Sequence, residues 1–401
     1  MRATSVGGSL FYYMDILHEM NTSQNKPVGS ASRTKGSVKF VAVGKNAFFS
    51  TLRNRVDEYF VQKGISRYGD SKMVIKTFVL LSIYLVPFSI ILFADLTPLV
   101  NLLLWTVMGI GVAGLGMSVM HDANHGAYSG NKKINWLMAH VLNLIGGSTF
   151  NWKLQHNILH HTYTNITHID EDIASKPALR LSPHTPVNKV HRYQWIHSFF
   201  LYGLTTLYWV TVKDFIQWAR YQKIGVNTGS RAENRLLLIK LILLKTVYFA
   251  ALLIIPVTVF HKPIADMLIG FLLMHFIAGL ILTIIFQLAH SLEGTSHPMP
   301  NDRGIIENEW AIHQMHTTTN FAAKNKWLSW YVGGLNFQVE HHLFPKISHI
   351  HYPGIAPIVR NTATEFNIPY LEYQTFGDAF RAHIAFLKKL GQLPDIDEAI
   401  G

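Results

Sequence analysis

The residues TPLVNLLLWTVMGIGVAGLGMSVMHDANH, Thr97 to His125, join an apolar run of membrane-spanning length to two histidines. Thr97 to Met120 contains no charged side chain, and about 20 apolar residues suffice for a helix to cross the hydrocarbon core of a bilayer. His121 and His125 follow at i, i+4 spacing, so on a continuing helix both imidazoles could bind one metal ion. Taken alone, the pair fits two ordinary interfacial histidines equally well.

Three further apolar runs define the fold class. They are Thr77 to Ala94, Arg235 to Phe260 and Met267 to Ala289. The four runs form two closely spaced pairs, because only Asp95 and Leu96 separate the first two and the link around His261 and Lys262 is also short. We therefore predict an all-α integral membrane protein with two transmembrane helical hairpins, whose four spans lie at about 74–95, 97–120, 236–260 and 265–289.

The composition supports a membrane protein. Charged residues make up 15% of the 401 residues, whereas about a quarter is usual in soluble domains. The net charge of +11 could serve nucleic acid or anionic lipid, and the apolar runs favour a lipid bilayer and no nucleic acid. Because there is no cysteine, nitrogen and oxygen must hold any metal. We predict a disordered N-terminal tail over 1–40 and one membrane domain over 41–401.

Two hairpins place most of the polar chain on one side of the membrane. The tail, residues 121–233 and residues 290–401 then share that side, with the last of these forming a helical cap. Lys and Arg are frequent before Met73, whereas the opposite turns offer almost only Lys262, so the shared side is predicted to be cytosolic. Two shorter apolar segments, Ile134–Phe150 and Ile196–Val212, are predicted to be interfacial or half-embedded helices.

Two more histidine clusters lie on this shared side. HNILHH contains His156 and His160 at i, i+4 spacing, and His161 is turned by about 100° on a helix, so it could reach a second ion. His290 ends the fourth apolar run in FQLAH, where it is either a ligand or an interfacial histidine. Eight imidazoles in all fit two ions better than one, although imidazole does not by itself identify the metal.

The third cluster, QVEHH, opens with a glutamine. Gln338, His341 and His342 have i, i+3, i+4 spacing, which puts all three on one helical face. The carbonyl oxygen of Gln338 could bind a metal, or its amide could hold water at an open coordination position.

HDANH, HNILHH and QVEHH, in this order around two hairpins, resemble the three histidine boxes of integral-membrane fatty acid desaturases. The resemblance extends from about Phe40 to the end, and the glutamine in box three is similar to the front-end and related acyl-lipid or acyl-CoA branch. It implies an O2-dependent enzyme that inserts a cis double bond into a fatty acyl chain, in the front-end case on the carboxyl side of an existing one. It also implies a non-haem centre of two iron ions with the ligands His121, His125, His156, His160, His161, His290, Gln338, His341 and His342.

The resemblance has one departure. Many front-end desaturases carry a fused cytochrome b5 domain with a His-Pro-Gly-Gly motif, which does not occur in this sequence. Electrons are therefore expected from a separate cytochrome b5-like or ferredoxin-like donor. The resemblance implies no catalytic residues beyond the metal ligands.

Other function classes stay open at this stage. A fatty acyl or lipid hydroxylase could use the same scaffold and oxidant, and the boxes do not separate it from a desaturase. A zinc-dependent membrane hydrolase would need one ion and fewer histidines. A histidine-rich metal transporter would place its histidines within the spans, whereas here they lie at the helix ends.

Several other residues have a functional and a structural interpretation. THIDEDI could orient ligands through Asp172, which the family pattern favours, while Asp170 and Glu171 fit a solvated loop. His313 and His316 could form another metal pair or lie near the substrate, and His275 is an intramembrane histidine of open role. Candidates to brace the site or line a substrate tunnel are Asn151, Trp152, Gln155 and Asn336. Basic residues that could meet a phosphorylated carrier such as CoA, or form a solvated face, are Arg180, Lys189 and Arg192.

Overall fold

A computed structural model describes residues 38–41, 47–174 and 176–393. The predicted disordered tail lies outside the described residues except for 38–40. Of these, Lys39–Phe40 forms a short parallel strand with Ile305–Ile306.

Helices make up most of the described chain. In order they are α1 (Phe48–Lys63), α2 (Ser71–Phe93), α3 (Pro98–His125), α4 (Lys132–Ala139), α5 (Val141–Leu144), α6 (149–163), α7 (Gln194–Gly203), α8 (205–223), α9 (Arg231–Thr258), α10 (Ile264–His290), α11 (Trp310–Thr317), α12 (Lys326–Tyr331), α13 (Gln338–Leu343), α14 (Tyr352–Glu365) and α15 (Phe376–Leu390). Wider π turns occur within α3, α6, α8 and α9 at Leu115–Val119, Lys153–His160, Trp209–Lys213 and Ala250–Ile254. Short 3₁₀ turns are Glu171–Ile173, Lys189–Tyr193 and His349–His351. The strands are β1 (Lys39–Phe40), β2 (Ile305–Ile306), β3 (Asn320–Phe321) and β4 (Glu372–Tyr373), paired β1 with β2 and β3 with β4, both parallel.

Four of these helices are long and apolar enough to cross a membrane, which confirms the predicted fold class. They are α2, α3, α9 and α10. The two hairpin turns meet, since Lys262 Nζ donates a hydrogen bond to Ala94 O at 2.8 Å and the Phe93 and Phe260 rings touch. Both hairpins therefore return to the same side. α3 continues five residues past the predicted end at Met120, so that box one lies on the helix itself.

The starts of these helices follow from local sequence. Thr97 caps α3 by accepting a hydrogen bond from the backbone N–H of Val100, and Pro98 occupies the first turn, where a missing N–H costs nothing. Ser230 and Glu233 form a reciprocal capping box at the start of α9.

α3 and α10 run side by side in the same direction and end in His125 and His290. Close contact needs small residues, and a Cβ at Gly109 would lie 2.6 Å from the carbonyl oxygen of Met274. Because the two helices are parallel neighbours, their last turns present histidines to the same volume beyond the apolar runs.

α7 and α8 form a bent helical pair that packs against the middle of α10. A Cβ at Gly279 would lie 2.6 Å from the carbonyl oxygen of Gly203, and Thr206 Oγ1 donates to His275 O at 2.6 Å. Gly279 is 11 residues from His290, about 16 Å along a helix, so the turn between α7 and α8 lies well inside the span. Residues 196–212 are thus half-embedded, and Ile134–Phe150 is divided between the short helices α4 and α5 and the start of α6.

The remaining helices form a cap with its own apolar core beneath the spans. α1 packs against α14, and the shared core includes Phe48, Leu52, Met315, Val339 and Ile355. Val339 belongs to the helix of box three, so this core fixes that helix relative to the cap.

Candidate metal centre

The eight predicted histidines come together where α3, α6, α10 and α13 meet. All are buried except His125, which is partly exposed. The ring nitrogens separate into three overlapping groups, each with its ligand atoms within 4.8 Å of one another: His121, His125, His156 and His341; His160, His290 and His342; and His161, His341 and His342. Ligand nitrogens about 2.1 Å from one ion lie roughly 3–4 Å apart, so the first two groups fit two neighbouring ions with His161 between them.

Buried histidine nitrogens without hydrogen-bond partners indicate whether the cluster could hold a metal. Buried polar atoms normally have a hydrogen-bond partner. Within the part of the chain that the structure describes, none is found for His125 Nε2, His160 Nε2, His290 Nε2, His341 Nε2 and His342 Nε2. Other rings bring nitrogens against each other, as with His156 Nε2, which lies 3.1 Å from His121 Nε2 and 3.2 Å from His161 Nε2. Each neutral imidazole carries one ring N–H and one nitrogen lone pair, and here several lone pairs face each other. Such an arrangement suits a bound cation, so the residues fit a di-metal centre.

The second box departs from the spacing expected on an α-helix. Lys153–His160 is a π turn, which brings residues five apart onto one face. His156 and His161 therefore touch, and His156 belongs with box one whereas His160 belongs with His290. The expectation that His156 and His160 can share one ion, with His161 turned towards a second, assumed 3.6 residues per turn and stays a prediction. One further nitrogen–oxygen group does join His156 and His160, together with Asp172.

Four of the rings are held in place through Nδ1, which leaves Nε2 directed inward. The contacts are His160 to Asp170 Oδ2 at 3.0 Å, His290 to Thr317 O at 3.2 Å, His341 to Tyr352 OH at 3.2 Å and His342 to Gln314 Oε1 at 2.8 Å. A hydrogen bond at the second nitrogen fixes both the tautomer and the orientation of a metal-binding imidazole.

The acidic loop after box two is not the solvated loop that was expected for Asp170. Asp170 is 1% exposed and accepts hydrogen bonds from His160 and from the backbone N–H groups of Asn165 and Asp172. Burial would lower the pKa of His160, but Asp170 and Asp172 raise it above its ordinary value. Asp172 Oδ2 lies 3.5 Å from His160 Nδ1, and its other oxygen accepts from Gln155 at 2.6 Å. Both carboxylates therefore act on His160.

Burial dominates the electrostatics of the other described ligands outside the spans. It lowers the pKa of His156, His161, His341 and His342 well below the ordinary value, and neighbouring histidines lower it further. Neutral imidazoles are the form that binds a metal, so the cluster is preset for coordination at neutral pH.

Gln338 lies on the inner face of α13, as its spacing predicts. It is 2% exposed, its Oε1 has no hydrogen-bond partner among the described residues, and its amide lies beside the ring of His290. A buried amide oxygen left unpaired next to the second group suits either direct binding or the holding of a water.

Sequence reasoning missed three residues that support box three. Gln314 and Tyr352 contact His342 and His341, and Glu340 lies within the box itself. Glu340 is fully buried, and it accepts hydrogen bonds from Asn320 Nδ2 and Tyr370 OH at 2.7 and 2.9 Å. Burial raises the pKa of Glu340 to about 7. No short-range signal marks these residues, because Gln314 and Asn320 are 28 and 20 positions away from their partners.

The other candidates have structural partners. His313 Nε2 meets Thr164 O at 2.9 Å, His275 is bonded to Tyr248 and Thr206, and neither belongs to a metal group among the described residues; His316 belongs to none either. Asn336 binds backbone carbonyls of Phe321 and Ala322.

The neighbours of box two differ in their roles. Asn151 binds Asp214, Gln155 binds Asp172, and Trp152 stacks on His156 with ring centres 4.3 Å apart. Arg180 is fully buried and donates to three backbone carbonyls, so it cannot meet a carrier such as CoA. Lys189 and Arg192 are exposed, which leaves both of their interpretations standing.

Comparison with known proteins agrees with this geometry. Residues 97–374 match the model of the fatty acid desaturase family. The chain is 36% identical over 358 residues to the sn-1 linoleoyl-lipid 6-desaturase of Arthrospira platensis, covering 88% of this chain and 96% of that one. It is 34% identical to the protein of the same name from Synechocystis sp., over 90% and 99% of the two chains. It is 32% identical to the acyl-lipid (8-3)-desaturase of Physcomitrium patens, over 89% and 74%. The chain therefore belongs to the fatty acid desaturase family.

Proposed function

We propose that this fatty acid desaturase holds two iron ions and inserts a cis double bond into an acyl chain esterified to a membrane lipid. The observation that carries the proposal is the pair of histidine groups with inward, unpartnered nitrogens. The proposed ligands are His121, His125, His156, His160, His161, His290, Gln338, His341 and His342.

The reaction has a simple balance. Two neighbouring CH2 groups lose two hydrogen atoms, and with O2, two electrons and two protons the products are one CH=CH unit and two molecules of water. Bound iron would supply the oxidising power that an unactivated C–H bond requires and that acid–base groups cannot provide.

The chain's own residues contribute geometry. Asp170, Thr317 O, Tyr352 and Gln314 fix four imidazoles, and α3 and α10 carry the centre just beyond the apolar runs. An acyl chain that lies along the spans can therefore reach the centre without leaving an apolar environment. Burial of almost every ligand keeps bulk water away from the oxidant.

An acyl-lipid substrate is favoured over acyl-CoA. All three relatives named above are acyl-lipid desaturases by name, and two of them are named as 6-desaturases. Arg180, one of three basic residues that could have met CoA, is occupied by backbone carbonyls. We accordingly propose insertion on the carboxyl side of an existing double bond, at carbon 6 of a linoleoyl-type chain.

Electrons and membrane orientation complete the proposal. We also propose that a separate cytochrome b5-like or ferredoxin-like protein supplies the two electrons. The centre faces the cytosol, because the polar regions on its side of the membrane are rich in Lys and Arg.

The test is a product analysis in a host that supplies a compatible donor. Cells that express the chain receive linoleate, and fatty acid methyl esters are analysed by gas chromatography–mass spectrometry, with lipid classes separated beforehand. We expect a new double bond at carbon 6 in the lipid fraction. The variant with His341→Ala and His342→Ala should lack this product, and metal analysis of the purified wild type should find about two irons per chain.

A matched control separates loss of the centre from loss of fold. His168 is exposed, follows box two and has a φ of +71°, which asparagine tolerates, so His168→Asn should keep full activity and iron. A hydroxylated product would instead support the hydroxylase on the same scaffold, which would overturn the desaturation step. Bound zinc without iron in an active preparation would contradict the oxidative mechanism altogether.

A further inference from the structure

The segment from Lys324 to Tyr331 carries large aromatic side chains that the rest of the described chain leaves uncovered. Trp327 is 86% exposed and Trp330 is 38% exposed. They lie three residues apart on α12, so they share one face, and the exposed Lys324 and Lys326 flank them. A tryptophan as exposed as Trp327 is unusual on a surface that faces only water.

Contacts with the spans give the depth of this segment. Tyr331 OH donates to Ile110 O on α3 at 2.9 Å. Ile110 precedes His121 by 11 residues, which places this contact about 16 Å from the metal centre on the membrane side. The ring of Trp330 lies 5.3 Å from Lys76 Nζ, and the uncharged part of α2 begins with the next residue. α12 therefore extends from the start of the uncharged part of α2, where Trp330 lies, to a point well inside α3, where the Tyr331 hydroxyl ends.

The adjoining face of α12 is fixed. Leu328 and Tyr331 pack in an apolar cluster with Met117 of α3 and Ile285 of α10. Asn325 caps the helix by accepting from the N–H of Leu328 at 3.0 Å. Leu328 and Tyr331 hold α12 against α3 and α10, so the helix cannot rotate to bury the two tryptophans. The Trp face therefore meets the medium that surrounds the protein at this depth.

We propose that residues 324–331 form an interfacial anchor, which inserts Trp327 and Trp330 into the headgroup region of an anionic phospholipid bilayer. Indole is preferred at this level because it pairs an apolar body with one N–H donor. Lys324 and Lys326 then lie beside the lipid phosphates, whose negative charge attracts basic side chains. The partner is the lipid surface, which is continuous with the lipid around α2 and α3.

The anchor is joined directly to box three. The chain leaves α12 through Gly333 and Gly334, both with positive φ, and enters α13 four residues later. A Cβ at Gly334 would lie 2.8 Å from His349 Cβ, so this turn is tightly packed. The depth of the anchor in the bilayer therefore determines the distance of Gln338, His341 and His342 from the membrane surface.

The test uses the absence of cysteine in the 401 residues, since each single-cysteine variant then carries one label. Trp327→Cys and Lys326→Cys are spin-labelled in the full chain and placed in nanodiscs that contain anionic phospholipid. Collision rates of the label with O2, which concentrates in lipid, and with a water-soluble nickel chelate are compared. Phe78→Cys on α2, 67% exposed, is the lipid reference, and Val61→Cys on α1, 80% exposed, is the aqueous one.

We expect an oxygen-to-nickel ratio at residue 327 several-fold above that at residue 61 and close to that at residue 78. Residue 326 should give an intermediate ratio, because its side chain extends towards the phosphates. A ratio at residues 327 and 326 equal to that at residue 61, in samples with wild-type metal content, would overturn the proposal and indicate a surface for a protein partner. The measurement does not depend on turnover, so it stands apart from the test of desaturation.

Discussion

At the scale of single residues, the centre depends on groups that fix imidazole orientation as much as on the imidazoles. His160 is held by Asp170, and His342 by Gln314, each through Nδ1. Box three has one amide where a third imidazole could stand, and that amide oxygen is buried with no hydrogen-bond partner among the residues the structure describes. The two proposed ions therefore have unequal surroundings, with the weaker donor on the side of His290.

Gln338→Ala should weaken the ion bound by His160, His290 and His342 and leave the other ion in place. Loss of a weak ligand or of a water-holding group typically costs tenfold or more in affinity. Iron titration of the metal-depleted chain should change from two tight sites to one, and turnover should fall with it. Gln338→His is the matched variant, since it restores a metal-binding donor; two unchanged tight sites in Gln338→Ala would contradict a role for this amide.

Asp170→Asn should lower metal affinity by about 10–100-fold, because the neutral amide no longer favours the Nδ1–H tautomer of His160. Glu58→Gln, the corresponding carboxylate-to-amide change at an exposed position on α1, serves as the control and should leave affinity unchanged. The measurement is competition for iron against a chelator of known strength. If Asp170→Asn and the control variant bound iron equally well, Asp170 would stabilise only the fold of its loop and would not affect the metal ligand.

At the scale of elements, one buried ion pair joins three segments around box two, namely α8, α9 and the residues just before α6. Lys245 Nζ of α9 donates to Asp214 Oδ2 at 2.6 Å and also to the carbonyl oxygens of Gly146 and Trp209. Asp214 accepts in turn from the N–H of Ser148, the residue that caps α6. The start of the helix that carries box two is thereby fixed to the third span and to the half-embedded helix α8.

Lys245→Met should destabilise the protein by about 3–5 kcal/mol, because it leaves the carboxylate of Asp214 buried without its partner. Adding Asp214→Asn should recover a large part of this loss, since no unpaired charge then remains. Lys240→Met, an exposed position on the same helix, is the control and should lie within about 0.5 kcal/mol of wild type. Denaturation in mixed micelles measures the free energy of unfolding of each variant relative to wild type. If Lys245→Met alone were as stable as Lys240→Met, water would have to solvate Asp214.

At the scale of the whole molecule, the fold was predictable because apolar length is a local property. An apolar run such as Thr97 to Met120 indicates a span whichever helices it packs against. All four predicted spans correspond to helices that are long and apolar enough to cross a membrane. The grouping of the histidines was not predictable, because it depends on the π turn in α6, which the spacing of HNILHH does not mark. The burial of Asp170 was missed for the same reason, since its partners become visible only in the folded chain.

Acid stability also belongs to the whole molecule, because neutral histidines are buried throughout the cap. His383 is fully buried, donates from Nδ1 to Ser291 O at 2.7 Å and accepts at Nε2 from Tyr202 OH. Burial lowers the pKa of His383 to about 4, below its ordinary value of about 6.5. Between these two values the unfolded chain binds more protons than the folded chain, so stability is retained above pH 6.5 and lost as the pH falls towards 4.

We therefore expect His383→Gln to reduce the loss of stability between pH 6.5 and pH 4 by on the order of 3 kcal/mol. The glutamine amide can still donate towards Ser291 O and accept from Tyr202, yet it takes up no proton. Unfolding free energies of metal-depleted wild type and variant, measured at several pH values, give the difference, in which the other histidines cancel. His168→Asn, at an exposed position, should keep the wild-type slope. If His383→Gln kept that slope as well, the proton uptake that destabilises this protein in acid would have to come from other buried groups.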